Sequence, residues 1–337
     1  MIEIIFLNSS KIQLYAKDEQ IKTKNSKFFN DLKKNDKYLI SLQNKNLNQI
    51  INCCNKIEEL KINCEINELL NLEEFTDLKK ILLNTVNIEL IKLPDNLEEI
   101  IISEPNFNSP INNLPPNLKI LKFENNLTKK FKFSQPLNNL PLSLEELRLC
   151  KKFTHPVENL PENLKILELY DNIDNDHYLD NLPIGLEELI IHNFNFEKIN
   201  NLPPNLKILK IIDIENYNKN KIIFNLSSKL EKLFTTNIEI ISNIIDSNYP
   251  INIEELHFIH NENVNYCYEL KDEHIEIIIN NILKIINNKN MFKNLKNIII
   301  YDNISESKYF MENLSKNLSD YNITNVFYPY MYLMVSI

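Results

Sequence analysis

Apolar positions in the middle of the chain keep returning in one phrase, Leu-Pro, two residues, then Leu-x-x-Leu or Leu-x-x-Ile. It reads KLPDNLEEI from Lys92, NLPPNLKIL from Asn113, NLPLSLEEL from Asn139, NLPENLKIL from Asn159, NLPIGLEEL from Asn181 and NLPPNLKIL from Asn201. The prolines stand at Pro94, Pro115, Pro141, Pro161, Pro183 and Pro203, so the steps are 21, 26, 20, 22 and 20 residues. A repeat of roughly 20–29 residues built on spaced leucines is the mark of a stacked solenoid. Within a copy, Leu121 and Phe123 alternate with Ile120, Lys122 and Glu124, the period-two pattern of a short strand with one buried face. Pro115 fixes φ and lacks an N–H, so it suits a bend that needs no ladder bond. Leu118, Leu114 and Ile111 are expected to fill the core around that strand. So short a repeat leaves no room for a full helix, and the return path should be extended or 3₁₀-like. Each repeat would bury about four or five apolar side chains, at roughly 1.5–3 kcal/mol each. None could fold alone, because each strand needs neighbours.

The flanks read differently. Residues 2–7 and 11–16 alternate as two strands joined by Asn8-Ser9-Ser10. Residues 24–34 predict a helix capped at Asn25 or Ser26, 38–42 a strand, and 47–57 a second amphipathic helix. Solenoid phrases recur at 57–62 and 78–83. After the sixth copy the pattern loosens: Ser227 takes the proline slot of the next phrase, and Pro250 keeps it in the one after. Farther on, 295–301 and 323–328 predict strands, while 272–287 and 305–318 predict amphipathic helices. The expected architecture is an α/β solenoid, a leucine-rich-repeat-like curved parallel sheet with short central repeats and helix-backed C-terminal repeats. The expected division is 1–56, a small α+β piece, and 57–337, the solenoid, with its clearest repeats over 90–235.

Two resemblances refine this. Phe107-Asn108-Ser109-Pro110-Ile111, Phe133-Ser134-Gln135-Pro136-Leu137 and Phe153-Thr154-His155-Pro156-Val157, each followed by x-x-Leu-Pro, resemble FNIP repeats, a short leucine-rich-like repeat. In two later copies Tyr178-Leu179 and Lys198-Ile199 replace the Pro-Ile pair. The resemblance implies a solenoid with a binding role; such arrays often accompany an F-box, and no F-box is recognisable here. The order strand-strand-helix-strand-helix over the first 55 or so residues, with Asn25-Ser26-Lys27-Phe28-Phe29, is similar to the core of the BTB/Skp1-like fold. The His-Lys pair common in BTB domains is absent. That resemblance implies an adaptor piece with a cullin-type ligase component as partner; the other reading is a cap on the first repeat.

Composition narrows the chemistry. Apolar residues make up 43% and charged residues 25%, as in ordinary folded proteins. The chain has one glycine, Gly185, and 57 asparagines set between regularly spaced apolar residues. Phosphate loops, dinucleotide fingerprints and nucleophile elbows all need glycines, so none can be built, and no cofactor is expected. A net charge of −9 disfavours a nucleic-acid partner. Five cysteines without a C-x-x-C pair, an acidic residue in the N-terminal apolar run, and no long apolar stretch lead to the expectation of a reduced cytoplasmic protein with no membrane segment. The six histidines are scattered and no metal site is expected. Paired acids such as Glu145-Glu146 and Glu187-Glu188 recur with the repeat, which suits solvated charge and not a single active site.

The outward strand positions are therefore the candidate site. Ile120, Lys122, Glu146, Arg148, Ile166, Glu168, Tyr170, Glu188, Ile190, His192, Ile208 and Lys210 should form a concave face that mixes apolar and charged side chains, as suits a protein partner. At its first position Ile120, Ile166 and Ile208 alternate with Glu99, Glu146 and Glu188. The expected function is a non-enzymatic protein-interaction scaffold. The alternatives are a ubiquitin-ligase substrate adaptor, which needs the BTB/Skp1-like piece, and a structural repeat array with no dedicated partner.

Overall fold

The computed structural model describes residues 2–8, 11–16, 19–23, 38–42, 57–62, 70–84, 90–111, 113–124, 131–155, 159–170, 182–192, 202–212, 226–236, 240, 252–259, 280, 282–288, 290, 292–301, 322–327 and 331–336. The chain divides into two compact units, Met1–Ile166 and Leu167–Ile337.

The first unit holds β1 (Ile2–Asn8), β2 (Lys11–Ala16), β3 (Glu19–Thr23), β4 (Tyr38–Leu42), β5 (Ile57–Ile62), β6 (Leu70–Asn71), β7 (Lys80–Leu83), β8 (Leu90–Lys92), β9 (Glu99–Ile102), β10 (Ile120–Phe123) and β11 (Glu146–Arg148). Strands β4, β5, β7, β9, β10 and β11 lie side by side in parallel. Their register aligns Leu60, Ile81, Ile100, Leu121 and Leu147 in one column. Each of these side chains is fully buried. At the N-terminal end β1 pairs with β4 in parallel and with β2 antiparallel, and β2 carries β3. The strands expected at 2–7, 11–16 and 38–42 are present, and β3 is an unexpected addition. The helices expected at 24–34 and 47–57 lie outside the described residues. Strands β6 and β8 form a separate parallel pair among the loops.

The second unit begins within β12 (Ile166–Tyr170) and continues through β13 (Glu188–His192), β14 (Ile208–Ile212), β15 (Lys232–Thr235), β16 (Glu255–Ile259), β17 (Asn297–Tyr301), β18 (Asn322–Phe327) and β19 (Met331–Ser336). Strands β13 to β17 are again parallel neighbours, with Leu189, Leu209, Leu233, Leu256 and Ile298 in register and no more than 1% exposed. The stack ends differently: β19 runs antiparallel to both β17 and β18. Residues 282–287 are helical and turn Ile282, Ile285 and Ile286 inward, in agreement with the end of the helix expected at 272–287; residues 272–279 lie outside the described ones. The helix expected at 305–318 lies outside the described residues. Both units thus have the leucine-rich-repeat-like solenoid build.

The repeated phrase has a repeated physical cause. In each copy the leucine two places after the Pro-x pair closes a turn onto the proline: the Leu118 N–H donates to the Pro115 carbonyl at 3.1 Å, and Leu97, Leu144, Leu164, Leu186 and Leu206 do the same to Pro94, Pro141, Pro161, Pro183 and Pro203. Two successive amides then enter the preceding repeat through one carbonyl, as Lys119 and Ile120 do at Glu98. Inside the turn the expected packing is corrected: Leu114 is only half-buried, whereas the Pro115 ring is buried. The turn points the proline's own carbons into the core, where no N–H is lost to solvent or ladder. Behind the strands, Phe107, Phe133 and Phe153 stack in succession with centroids 6.0 and 6.1 Å apart, and Phe123 lies 4.6 Å from Phe133. Offset rings at these distances attract each other beyond their area burial. That stack explains the recurring phenylalanine.

Candidate protein-binding face

Because side chains alternate along a strand, the residues between the buried leucines share the opposite face of the sheet. In the first unit the opening row runs Lys80, Glu99, Ile120, Glu146 and the next row Leu82, Ile101, Lys122, Arg148. Lys80 Nζ lies 2.9 Å from Glu99, and Lys122 Nζ 3.8 Å from the same carboxylate. Arg148 bonds Glu146 two residues away on its own strand. Ser103 donates to Glu124 at 2.7 Å. Ile120 and Ile166 are half-buried.

In the second unit the opening row runs Glu188, Ile208, Lys232, Glu255, Asn297, and the next Ile190, Lys210, Phe234, His257, Ile299. Lys210 pairs with Glu188 at 2.8 Å, and Lys232 with Glu255 at 2.7 Å. His257 lies with its ring 3.8 Å from Phe234 and its Nε2 3.1 Å from Glu255, while Lys210 Nζ stands 5.1 Å from the Phe234 centroid. Burial pulls His257 below the usual imidazole value, against the pull of Glu255. Burial pushes the Glu255 carboxyl up, but the bonds from Lys232 and His257 outweigh it and hold that carboxyl below its ordinary value. At the start of this unit, Tyr170 stacks on His192 with centroids 4.0 Å apart, and both bond Glu168 Oε1 at 3.1 Å.

The twelve candidate residues therefore divide. Ile120, Lys122, Glu146, Arg148 and Ile166 are half-buried on the first unit's face; Tyr170, Glu188, Ile208 and Lys210 are half-buried on the second's. Glu168, Ile190 and His192 are buried, at 9%, 4% and 4% exposure, so the expectation that they are open to a partner is corrected. Cys150, also placed outward by alternation, lies past the end of β11 and is fully buried. Alternation tells which face each residue takes, and says nothing of how neighbouring side chains shield it. Phe234 is absent from the candidate rows, which stop one copy short of it; its place four residues after Leu230 in the copy marked by Ser227, in the row of Lys210, is the signal available there.

A second arrangement lies at the turns of the first unit. An open cleft of about 720 Å³ is lined by Pro136, Leu137, Leu140, His155, Asn139 and Asn159. Asn139 and Asn159 there have φ of 58° and 57°, a left-handed conformation that asparagine tolerates. Among the described residues no cluster of His, Cys, Asp and Glu could hold a metal ion, and no helix is long and apolar enough to cross a membrane.

Comparison with known proteins places residues 153–194 in a match to the FNIP Repeat family. The chain is similar to a solved structure described as CroV588, a novel circular LRR protein, at 20% identity and a TM-score of 0.40, over 62% of this chain and 34% of that one. The match thus spans about a third of that protein's length. No curated protein matches the chain.

Proposed function

We propose that the chain is a non-enzymatic scaffold that holds a protein partner on the strand face of its repeats. One observation carries the reading: half-buried apolar groups, Ile120 in the first unit and Ile208 and Phe234 in the second, stand beside charged side chains on rows fixed by strand register. Apolar groups set among polar ones on an open sheet are what a protein interface uses. The FNIP Repeat match agrees with a repeat scaffold. The test is capture of cross-linked partners from native cells by the wild-type chain and by Ile208→Lys/Phe234→Lys in the second unit. Loss of capture by a folded variant supports the face; unimpaired capture rejects it.

The reading of the chain as a structural array with no dedicated partner is favoured by one feature, the internal pairing of the face's charges. It predicts no reproducible cross-linked partner. We assign residues 1–56 to a cap on the first repeat, supported by the parallel pairing of β4 with β5. The narrower adaptor function, with a cullin-type component bound by those residues, rests on the sequence resemblance alone; a full-length chain that fails to co-purify any cullin removes it.

A further inference from the structure

The pairing of charges on the strand face says what kind of partner would fit it, and this inference rests on the scaffold reading above. In the second unit every charge of the two rows is matched on the same face: Lys210 with Glu188, Lys232 with Glu255, and His257 with Glu255. These side chains are 15–38% exposed, apart from His257 at 6%. They are shielded enough that a competing ion would have to break an established pair and leave its partner partly desolvated. Two lysines against two glutamates also give these two rows no net charge of their own to draw a charged ligand. What the face can gain by being covered is apolar: Ile208 in one row, and Phe234 between Lys210 and His257 in the next. In the first unit the charges are also paired on the face, Lys80 and Lys122 sharing Glu99 beside Ile120, but its two rows hold one more cation than anion.

We propose that the occupant of the strand face is an uncharged, apolar polypeptide segment, seated on Ile208 and Phe234 with the flanking ion pairs left intact. Such a segment buries hydrocarbon without breaking an ion pair, and its binding is nearly indifferent to salt, since no charge crosses the interface.

The test pans the full chain against three displayed peptide libraries of equal length: neutral and rich in aliphatic and aromatic residues, rich in Lys and Arg, and rich in Asp and Glu. Affinities of the selected peptides are then measured at low and high salt. The neutral library should win, Kd should change by less than about twofold across the salt series, and Ile208→Lys should weaken binding by about tenfold or more. The salt series uses the unaltered chain, so the test survives a variant that fails to fold. Selection of a charged library, with affinity lost in salt and sensitivity to Ile208→Lys, overturns the apolar partner and keeps the face. Self-association of the chain that blocks the peptides also overturns it. Peptides indifferent to Ile208→Lys, or no binders at all, overturn the inference, and the scaffold reading falls with it only where cross-linked capture from native cells is also unimpaired in the face variant.

Discussion

Cys150 shows how far a single position can depart from its pattern. Alternation puts it on the outward face, yet it is fully buried, its thiol set toward the Phe133 carbonyl at 3.5 Å, and burial pushes that thiol up to about 11. A thiol so protonated and shielded is a poor nucleophile. At neutral pH Cys150 should resist an aromatic disulfide reagent in the folded chain and react in denaturant; peptide mapping of the labelled site reads this directly, and rapid native labelling would refute the placement. His257 gives a second prediction. Its folded pKa lies below the ordinary value of 6.5, so the unfolded chain binds that proton more readily. The stability owed to the neutral imidazole is complete above pH 6.5 and drains away as pH falls from there toward the folded value. Glu255, also held low, adds a loss at more acid pH, below the ordinary carboxylate value of 4.5. Urea midpoints of the wild type should decline on acidification, and His257→Gln should flatten the part of that decline between neutrality and the carboxylate range. Equal slopes would count against the buried neutral imidazole. The inward leucines were legible from spacing alone. The burial of Glu168 and His192 was not, because it depends on side chains beside them, with Tyr170 stacked on His192 and both bonding Glu168, and not on the strand's own period.

Between elements, polar residues of the phrase make rungs. The amide of the asparagine before the turn-closing leucine donates to a carbonyl of the preceding turn: Asn117 to Asp95 at 2.9 Å, Asn163 to Leu142 at 2.9 Å and Asn205 to Ile184 at 3.0 Å; Asn252, before Ile253, donates to Ser228 at 3.0 Å. Where serine replaces asparagine, Ser143 reaches the Pro116 carbonyl at 2.7 Å. Part of the asparagine excess is therefore structural. Asn117→Ala should cost about 0.5–1.5 kcal/mol, the usual net worth of such a bond, with no change in the far-ultraviolet spectrum. Gly185 occupies the same slot without a side chain, and no glycine of the described residues has positive φ, so its backbone does not require glycine. Gly185→Asn should then gain about 0.4–1 kcal/mol from the less flexible unfolded chain; a lower melting temperature would refute that. Next to this ladder runs an alternation of charge: Lys79, Glu98 and Lys119 meet at 3.0 and 2.7 Å, and Lys165 meets Glu145 at 2.6 Å. The Lys119 bond holds the Glu98 carboxyl below its ordinary value, with Lys79 adding to the effect. Exposed pairs of this kind stabilise little, but a strand slipped by one repeat would set like charges together. The alternation of Glu-Glu with Lys-Ile was plain in the sequence. Which charges meet was not, because the partner of each is a repeat away.

Across the molecule, stability follows from repeats that complete one another's core, so damage to one rung is felt beyond it. Leu147 is fully buried in the first unit's column, and Leu147→Ala should cost about 2–5 kcal/mol and lower the melting temperature. The solenoid was legible because one phrase recurs with little change and each copy states the same local instruction. The ends were less so. Strands β3 and β19 lack the leucine phrase, and they join by antiparallel pairing that no repeat period announces. Everything else depends on consecutive repeats pairing rung on rung, and a methyl-labelled leucine sample read by nuclear Overhauser spectroscopy tests this most directly. Such stacking predicts a chain of methyl contacts from Leu189 to Leu209 to Leu233 to Leu256. Contacts confined within single repeats, with none joining Leu189 to Leu209, would contradict it.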